Sequence, residues 1–310
     1  MVNVYEAVEA NKFKSTAIIV LFSIFVAVAV FFISQAFAIY QGYEPGGLGI
    51  VGIALIVSGV MSMGGYYFSD SIILGISGAR PANKKKDFNF FTVSENLAIG
   101  AGIPMPKLFV IEDSAPNAFA TGRDPKHAVV VATTGLLEKL TRTELEGVVA
   151  HEFSHIKNYD IRLMSIVAVL VGMIALLGDW LIRSTWYGGR RSNDNDDNKG
   201  AGIIMLIGII FAILSPIVAQ LIQLAVSRRR EFLADASSVG MTRQPAGLIS
   251  ALKKISDDQE PLEAANKATA HLYIVNPFKE GEKRTVGWFA GLFNTHPPVA
   301  ERLKALQKMV

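Results

Sequence analysis

No charged residue stands between Lys14 and Glu44, and the stretch from Ser15 to Tyr40 is apolar almost throughout. That is longer than the ~20 residues a helix needs to cross ~30 Å of hydrocarbon. A globular helix of this length keeps a charged face, so the stretch predicts a transmembrane helix. Ala36-Phe37-Ala38 matches the A-x-A pattern of a signal-peptide cleavage site. The run is nevertheless too long for an h-region of ~7 to 15 residues, and retention as an anchor is the expectation. Three further uncharged blocks follow: Leu48 to Phe68, Leu163 to Gly178 and Ala201 to Ser227. The second is rich in Gly and small side chains that let helices approach closely in lipid. The third is marginal in length unless Trp180 to Ile182 extend it to an interfacial Arg183, and the fourth tolerates Pro216 as a lipid-embedded kink.

Lysine and arginine give an orientation. Lys12 and Lys14 precede the first block, none stand in residues 41–47, and Arg80, Lys84, Lys85 and Lys86 follow the second, which places the N-terminus and the chain after Phe68 in the cytoplasm. The loop Arg183 to Gly200 fits less well, since it carries four basic residues of its own, but Arg228, Arg229 and Arg230 directly follow block four. The expected organisation is an N-terminal segment, 1–77, with two spans; the first part of a polar domain, 78–160; a spanning or membrane-associated hairpin, 161–227; and the rest of the polar domain, 228–310. With 51% hydrophobic residues and a net charge of only +3, the chain offers no basic domain for nucleic acid. It contains no cysteine, which excludes disulfides, thiolate metal sites and cysteine nucleophiles, and leaves His, Asp and Glu as metal ligands.

In the polar part, Lys107 to Glu112, Asn117 to Thr121 and His127 to Thr133 read as short strands, the last two joined by a turn over residues 122–126. Thr141-Arg142-Thr143-Glu144 is a capping box that opens a helix to about Asn158. On that helix stands His151-Glu152-Phe153-Ser154-His155. Positions i and i+4 are about 400° apart on a helix, so both imidazoles share a face and can bind one ion, with Glu152 beside it as general base and acid for peptide hydrolysis. A catalytic zinc takes three protein ligands and keeps one open position. The third ligand could be His127, His271, His296 or a carboxylate, and spacing alone does not choose among them.

The combination H-E-F-S-H, then Arg230-Glu231-Phe232-Leu233-Ala234-Asp235 just after an apolar block, then Thr295-His296-Pro297-Pro298 with Glu301-Arg302, resembles the M48 family of zinc metallopeptidases. The opening Asn3-Val4-Tyr5-Glu6-Ala7 with Glu9-Ala10-Asn11, and the four-block layout, resemble its HtpX branch of bacterial membrane proteases. The resemblance covers nearly the whole chain. It implies an α-helical membrane protein with an α+β zincin-like (gluzincin) metalloprotease domain, mostly helical with a small β-sheet. It also implies one Zn2+ per subunit held by His151, His155 and Glu231, with Glu152 catalytic and Asp235 hydrogen-bonded to a liganding histidine. Glu231 and Asp235 share a helix face at i, i+4, and a liganding imidazole generally needs its other N–H satisfied.

Asn117-Ala118-Phe119-Ala120-Thr121-Gly122 resembles the family's edge strand beside the zinc, on which an extended substrate would pair with Asn117, Ala118 and Phe119 as contacts; the alternative is an ordinary strand of a small sheet. His296 could support the site or donate to the oxyanion, though a structural role with the prolines is favoured. Arg230 could stabilise the tetrahedral intermediate or, as favoured, anchor block four at the headgroups. His127 and His271 are expected to be non-catalytic. The implied activity is zinc-dependent endoproteolysis of misfolded or damaged membrane proteins at the cytoplasmic face of a bacterial inner membrane under stress. Its partners are polypeptide substrates and the lipid bilayer, with oligomeric state open. Two rivals are weighed. An intramembrane-cleaving metalloprotease would embed H-E-x-x-H in a long apolar run, whereas Lys157, Asn158, Tyr159, Asp160 and Arg162 follow it here. A non-proteolytic scaffold with a structural zinc would close the fourth position with protein and leave Glu152 without a purpose.

Overall fold

The computed structural model of the chain describes residues 9–21, 48–172, 228–266, 268–277 and 297–310, with positions 23, 24, 27, 28 and 31 besides. The first helix, α1, covers residues 9–21 without a break. Then come α2 (Leu48–Tyr67), α3 (Ser69–Ile76), β1 (Arg80–Pro81), α4 (Phe88–Ala101), β2 (Lys107–Ile111), β3 (Ala118–Gly122), β4 (Ala128–Thr133), α5 (Thr134–Lys139) and α6 (Arg142–Lys157). Helix α7 spans residues 160–172, and α8 (Arg228–Thr242), α9 (Pro245–Asp257) and α10 (Val299–Gln307) complete the set. The described chain is thus mostly helical around one small mixed sheet.

The strands lie in the order β1-β2-β4-β3, with β2 and β4 parallel and the outer pairs antiparallel. Strand β4 has no polar alternation because both of its faces are covered, and its side chains divide by period two. Ala128, Val130 and Ala132 join Ala118 and Ala120 of β3 in a core with α4, α6 and α9. Val129 and Val131 join Phe119 in a second core with Ile73 of α3, the apolar residues of α7, and Leu262 to Tyr273. The sheet therefore separates a layer that carries the H-E-x-x-H helix from a layer built on the apolar blocks. Small residues on the first face let α6 lie close to β3. Gly147 of α6 does the same for α9, since a Cβ there would come within 2.8 Å of the Leu248 nitrogen.

Three of the four apolar blocks are represented, in part, among the described residues. Ser23 of the first and Ser62 of α2 share a hydroxyl hydrogen bond of 2.7 Å, which joins those two helices. On α2, Ile53, Ile56, Val60 and Met63 form a stripe at i, i+3, i+7, i+10 that stays exposed at 61%, 68%, 67% and 62%. Of block three, residues 163–172 are helical and buried against protein. Counted over the described residues alone, no helix is long and apolar enough to cross a membrane. Helix α1 is described continuously only to residue 21, the side chains of α2 only from Gly52 with gaps at 54 and 58, and residues 173–227, with all of block four, lie outside the described set.

Candidate metal centre

Helix α6 starts as its sequence requires. Thr141 is the N-cap, its hydroxyl accepts from the Glu144 N–H, and the Glu144 carboxylate accepts from the Thr141 N–H at 2.7 Å. Lys254 and Ser250 of α9 also donate to Glu144, at 2.8 and 2.6 Å. Burial alone would raise the Glu144 carboxyl, but these donors outweigh it and hold its pKa down at about 2. The helix runs from this anchor to Asn158, and its last two turns present His151 and His155 on one side with ring centroids 4.8 Å apart.

Helix α8 crosses α6 closely, with the Ser238 hydroxyl donating to the Gly147 carbonyl at 2.8 Å. This contact brings Glu231 to the two histidines from 76 residues further along the chain. His155 Nε2 and His151 Nε2 are 3.2 Å apart, Glu231 Oε1 is 3.5 Å from His155 Nε2, and Glu231 Oε2 is 3.7 Å from His151 Nε2. A tetrahedral ion with bonds of 2.0–2.1 Å sets its ligand atoms about 3.3 Å apart, so these three donors fit one such metal ion. Among the described residues this is the one group of three or more His, Asp or Glu that converges in this way.

The other nitrogen of each imidazole is occupied. His151 Nδ1 lies 2.9 Å from Asp235 Oδ1, and His155 Nδ1 lies 3.0 Å from Asp160 Oδ2. Carboxylates on both Nδ1 atoms select the tautomer that leaves each Nε2 as an acceptor toward the centre. Asp235 is held in turn by Arg302 of α10, whose Nη2 and Nε donate to its two oxygens at 2.6 and 2.9 Å. Burial would raise the Asp235 carboxyl, but the Arg302 charge and these hydrogen bonds bring it to about 2. For His151, burial and the Arg302 charge both oppose protonation, yet Asp235 and Glu231 win and raise its pKa to about 9. The space between the three donors thus favours positive charge. Glu152 is buried with them, and desolvation pushes its carboxyl up against the lowering pull of His151 and His155.

Strand β3 forms the sheet edge beside α6, and its alternate backbone groups, those of Ala118, Ala120 and Gly122, face away from β4. Part of this edge is taken up by the chain itself. The Ile274 N–H donates to the Ala118 carbonyl at 2.9 Å, the Asn117 amide donates to the Val275 carbonyl at 3.0 Å, and Arg302 donates to the Ile274 carbonyl at 2.9 Å. His151, Glu152, His155 and Glu231 are all buried beneath this arrangement.

Two expected contacts are corrected by the structure. Phe119 does not face the centre: period two turns its side chain into the opposite core, where it stacks edge-on against Tyr273 at 5.0 Å, and its backbone pairs with Val131 of β4. Arg230 lies mostly buried between polar partners instead of standing exposed. Its side chain is 12% exposed, donates to Asn11 Oδ1 at 3.1 Å and lies 3.7 Å from Asp160, because a desolvated guanidinium needs such partners. His127 sits in the β3–β4 turn against Asp124, and His271 is buried with its Nε2 3.2 Å from the Met164 carbonyl, so neither reaches the centre. His296 lies outside the described residues. Three contributors carried no signal for their role: Asp160, Arg302 and Asn11, each far in sequence or across a turn from the group it touches.

The model of peptidase family M48 matches residues 85–310. Along nearly its full length the chain is similar to curated proteins described as "Protease HtpX homolog". It is 47% identical to that of Dictyoglomus thermophilum over 305 residues, which is 98% of this chain and 94% of the relative. It is 43% identical to that of Thermoanaerobacter pseudethanolicus over 306 residues, 98% and 97% of the two chains. With that of Streptococcus uberis the identity is 41% over 310 residues, 98% and 99%. A crystal structure of S. mikatae Ste24p aligns with 97% of this chain and 67% of its own at a TM-score of 0.46 and 18% identity, a likeness too loose to argue from. With a family match over most of its length and full-length relatives above 40% identity, the chain belongs to peptidase family M48, as an HtpX-like metalloprotease.

Proposed function

We propose that the chain is a membrane-anchored zinc endopeptidase that cuts misfolded or damaged membrane proteins at the cytoplasmic face. The observation that carries this reading is the convergence of His151, His155 and Glu231 to 3.2–3.7 Å, the two histidines on the helix that also presents Glu152. Zinc bound there would polarise the scissile carbonyl and acidify the attacking water. Glu152 would accept the proton of that water and return it to the leaving nitrogen. Asp235 and Asp160 hold the imidazoles in place, so the site does not reorganise as charge develops. The β3 edge offers Ala118 and Asn117 to an extended polypeptide, which must take over the hydrogen bonds now made by Ile274 and Val275.

Two observations support the membrane part of the reading. The exposed apolar stripe Ile53, Ile56, Val60 and Met63 suits lipid better than water. Asn11, which precedes the first apolar block, touches Asp160 and Arg230 at the centre. Blocks one and two then return the chain to the side on which it began, as the lysine distribution requires.

The test is Glu152→Gln in the full chain in detergent. It is expected to bind one zinc with wild-type stoichiometry and to lose cleavage of an unfolded protein substrate by at least about a hundredfold. Retained cleavage would sink the mechanism. A wild type that binds zinc and cleaves no unfolded protein would favour a scaffold with a structural ion.

A further inference from the structure

We propose that Asn11, on the helix that leads into the first apolar block, is a positioning residue of the metal centre and acts on His155 through Asp160. Asn11 is 3% exposed. Its Nδ2 donates to Asp160 Oδ1 at 2.7 Å and to the Asn158 carbonyl at 3.0 Å, and its Oδ1 accepts from Arg230 Nη1 at 3.1 Å. The other oxygen of Asp160 meets His155 Nδ1 at 3.0 Å. One amide therefore joins three segments: the entry to the apolar block, the turn after α6, and the residue before Glu231.

The turn gives the amide a specific task. Tyr159 adopts φ 59°, a left-handed conformation that is strained for a residue with a β-carbon and persists only where neighbours hold it. Asn158, just before it, is the C-cap of α6, so its carbonyl has no partner within the helix. Asn11 satisfies that carbonyl, and Lys12 places its ammonium 4.9 Å from the centroid of the Tyr159 ring. Asp160 is the next residue. Fixing the turn and occupying Oδ1 together leave Oδ2 as the oxygen directed at His155. Without the Asn11 hydrogen bond the carboxylate could rotate about χ2 and lose that alignment, since Arg230 stands 3.7 Å from Oδ1, beyond hydrogen-bond distance. An aspartate at position 11 would turn the donor into an acceptor beside a second carboxylate.

This inference rests on the centre being a metal site, and the experiment separates the two. Wild type, Asn11→Ala, Asn11→Asp and Thr16→Ala are purified as full chains in detergent. Zinc affinity is read by chelator competition, and the cobalt-substituted form by its d–d absorption. Thr16 is exposed on the same helix and its hydroxyl donates to the Lys12 carbonyl, so its variant is the control. Both Asn11 variants are expected to bind zinc at least about tenfold more weakly and to shift the cobalt spectrum, whereas Thr16→Ala does neither. In the Asp160→Asn background, Asn11→Ala is expected to add little further loss, because its route is already cut. Wild-type affinity and spectrum in both Asn11 variants would overturn the proposal, as would full additivity with Asp160→Asn. Should Asn11→Ala fail to fold, the isosteric Asn11→Asp decides alone. A wild type that takes up no metal would instead overturn the reading of the centre itself.

Discussion

Asp235 accepts from His151 on one oxygen and from the two arms of Arg302 on both, and all three side chains are buried. Arg302 is fully buried and also donates to the Ile274 carbonyl, so it links α10, α8 and the segment that covers the β3 edge. Removing one partner of such a pair leaves a desolvated charge unmatched, which costs far more than the pair contributes as a whole. Arg302→Leu is therefore expected to destabilise the protein by about 3–5 kcal/mol, read as a lowered denaturant midpoint in detergent. Arg302→Lys should recover only part of this, since an ammonium lacks the planar fork by which Arg302 holds both Asp235 oxygens and the Ile274 carbonyl together. A midpoint unchanged by Arg302→Leu would show that the Asp235 carboxylate finds another partner. The sequence announced His151 and His155 because a four-residue spacing on a helix is local geometry. It showed nothing of Arg302's task, since its partner stands 67 positions away and only the packed helices bring them together.

Among the elements, α6 carries both histidines of the candidate centre and a large share of the packing, and its start is fixed by the capping box that the residues Thr141 and Glu144 spell out. The strands were legible for the same reason, as short apolar runs bounded by a turn. The order β1-β2-β4-β3 was not, because a parallel β2–β4 pair requires a crossover whose path is set by tertiary packing. Nor could the sequence show that Phe119 and Ala118 face opposite layers with cores on both sides, since burial of both faces erases the alternation that would mark them. The Glu144 anchor gives α6 a pH signature. Its folded pKa of about 2 lies below its ordinary 4.5, so the carboxylate stabilises the fold fully above pH 4.5. That contribution is lost as pH falls through 4.5 toward 2. Glu144→Gln should thus lower the thermal midpoint at pH 7, and the gap from wild type should close between about pH 5 and pH 2. A gap constant across that range would mean that packing, and not the charge, holds the helix start.

At the scale of the whole molecule, Asn11, Asp160 and Arg230 meet at one point, which constrains the proposed path through a bilayer more tightly than the apolar blocks do. Residues 11 and 160 lie on one side, so blocks one and two must together cross an even number of times. Residues 160 and 230 lie on that side too, so blocks three and four both cross or both stay. The charge of the loop from Arg183 to Gly200 argues weakly for staying, since Arg183, Arg190, Arg191 and Lys199 would be external, against Asp194, Asp196 and Asp197. Length argues for crossing, at least for block four, whose 27 uncharged residues exceed what one span needs. A helix that crosses needs a partner to return, and block three is the segment available. The proposed topology therefore has both blocks spanning and the loop outside. Because the chain has no cysteine, Ser192→Cys supplies a single reporter. A membrane-impermeant maleimide should label it in intact cells, with no gain on permeabilisation. Labelling only after permeabilisation would put the loop on the side of the metal centre, make blocks three and four a hairpin that stays on that side, and leave blocks one and two as the protein's anchor.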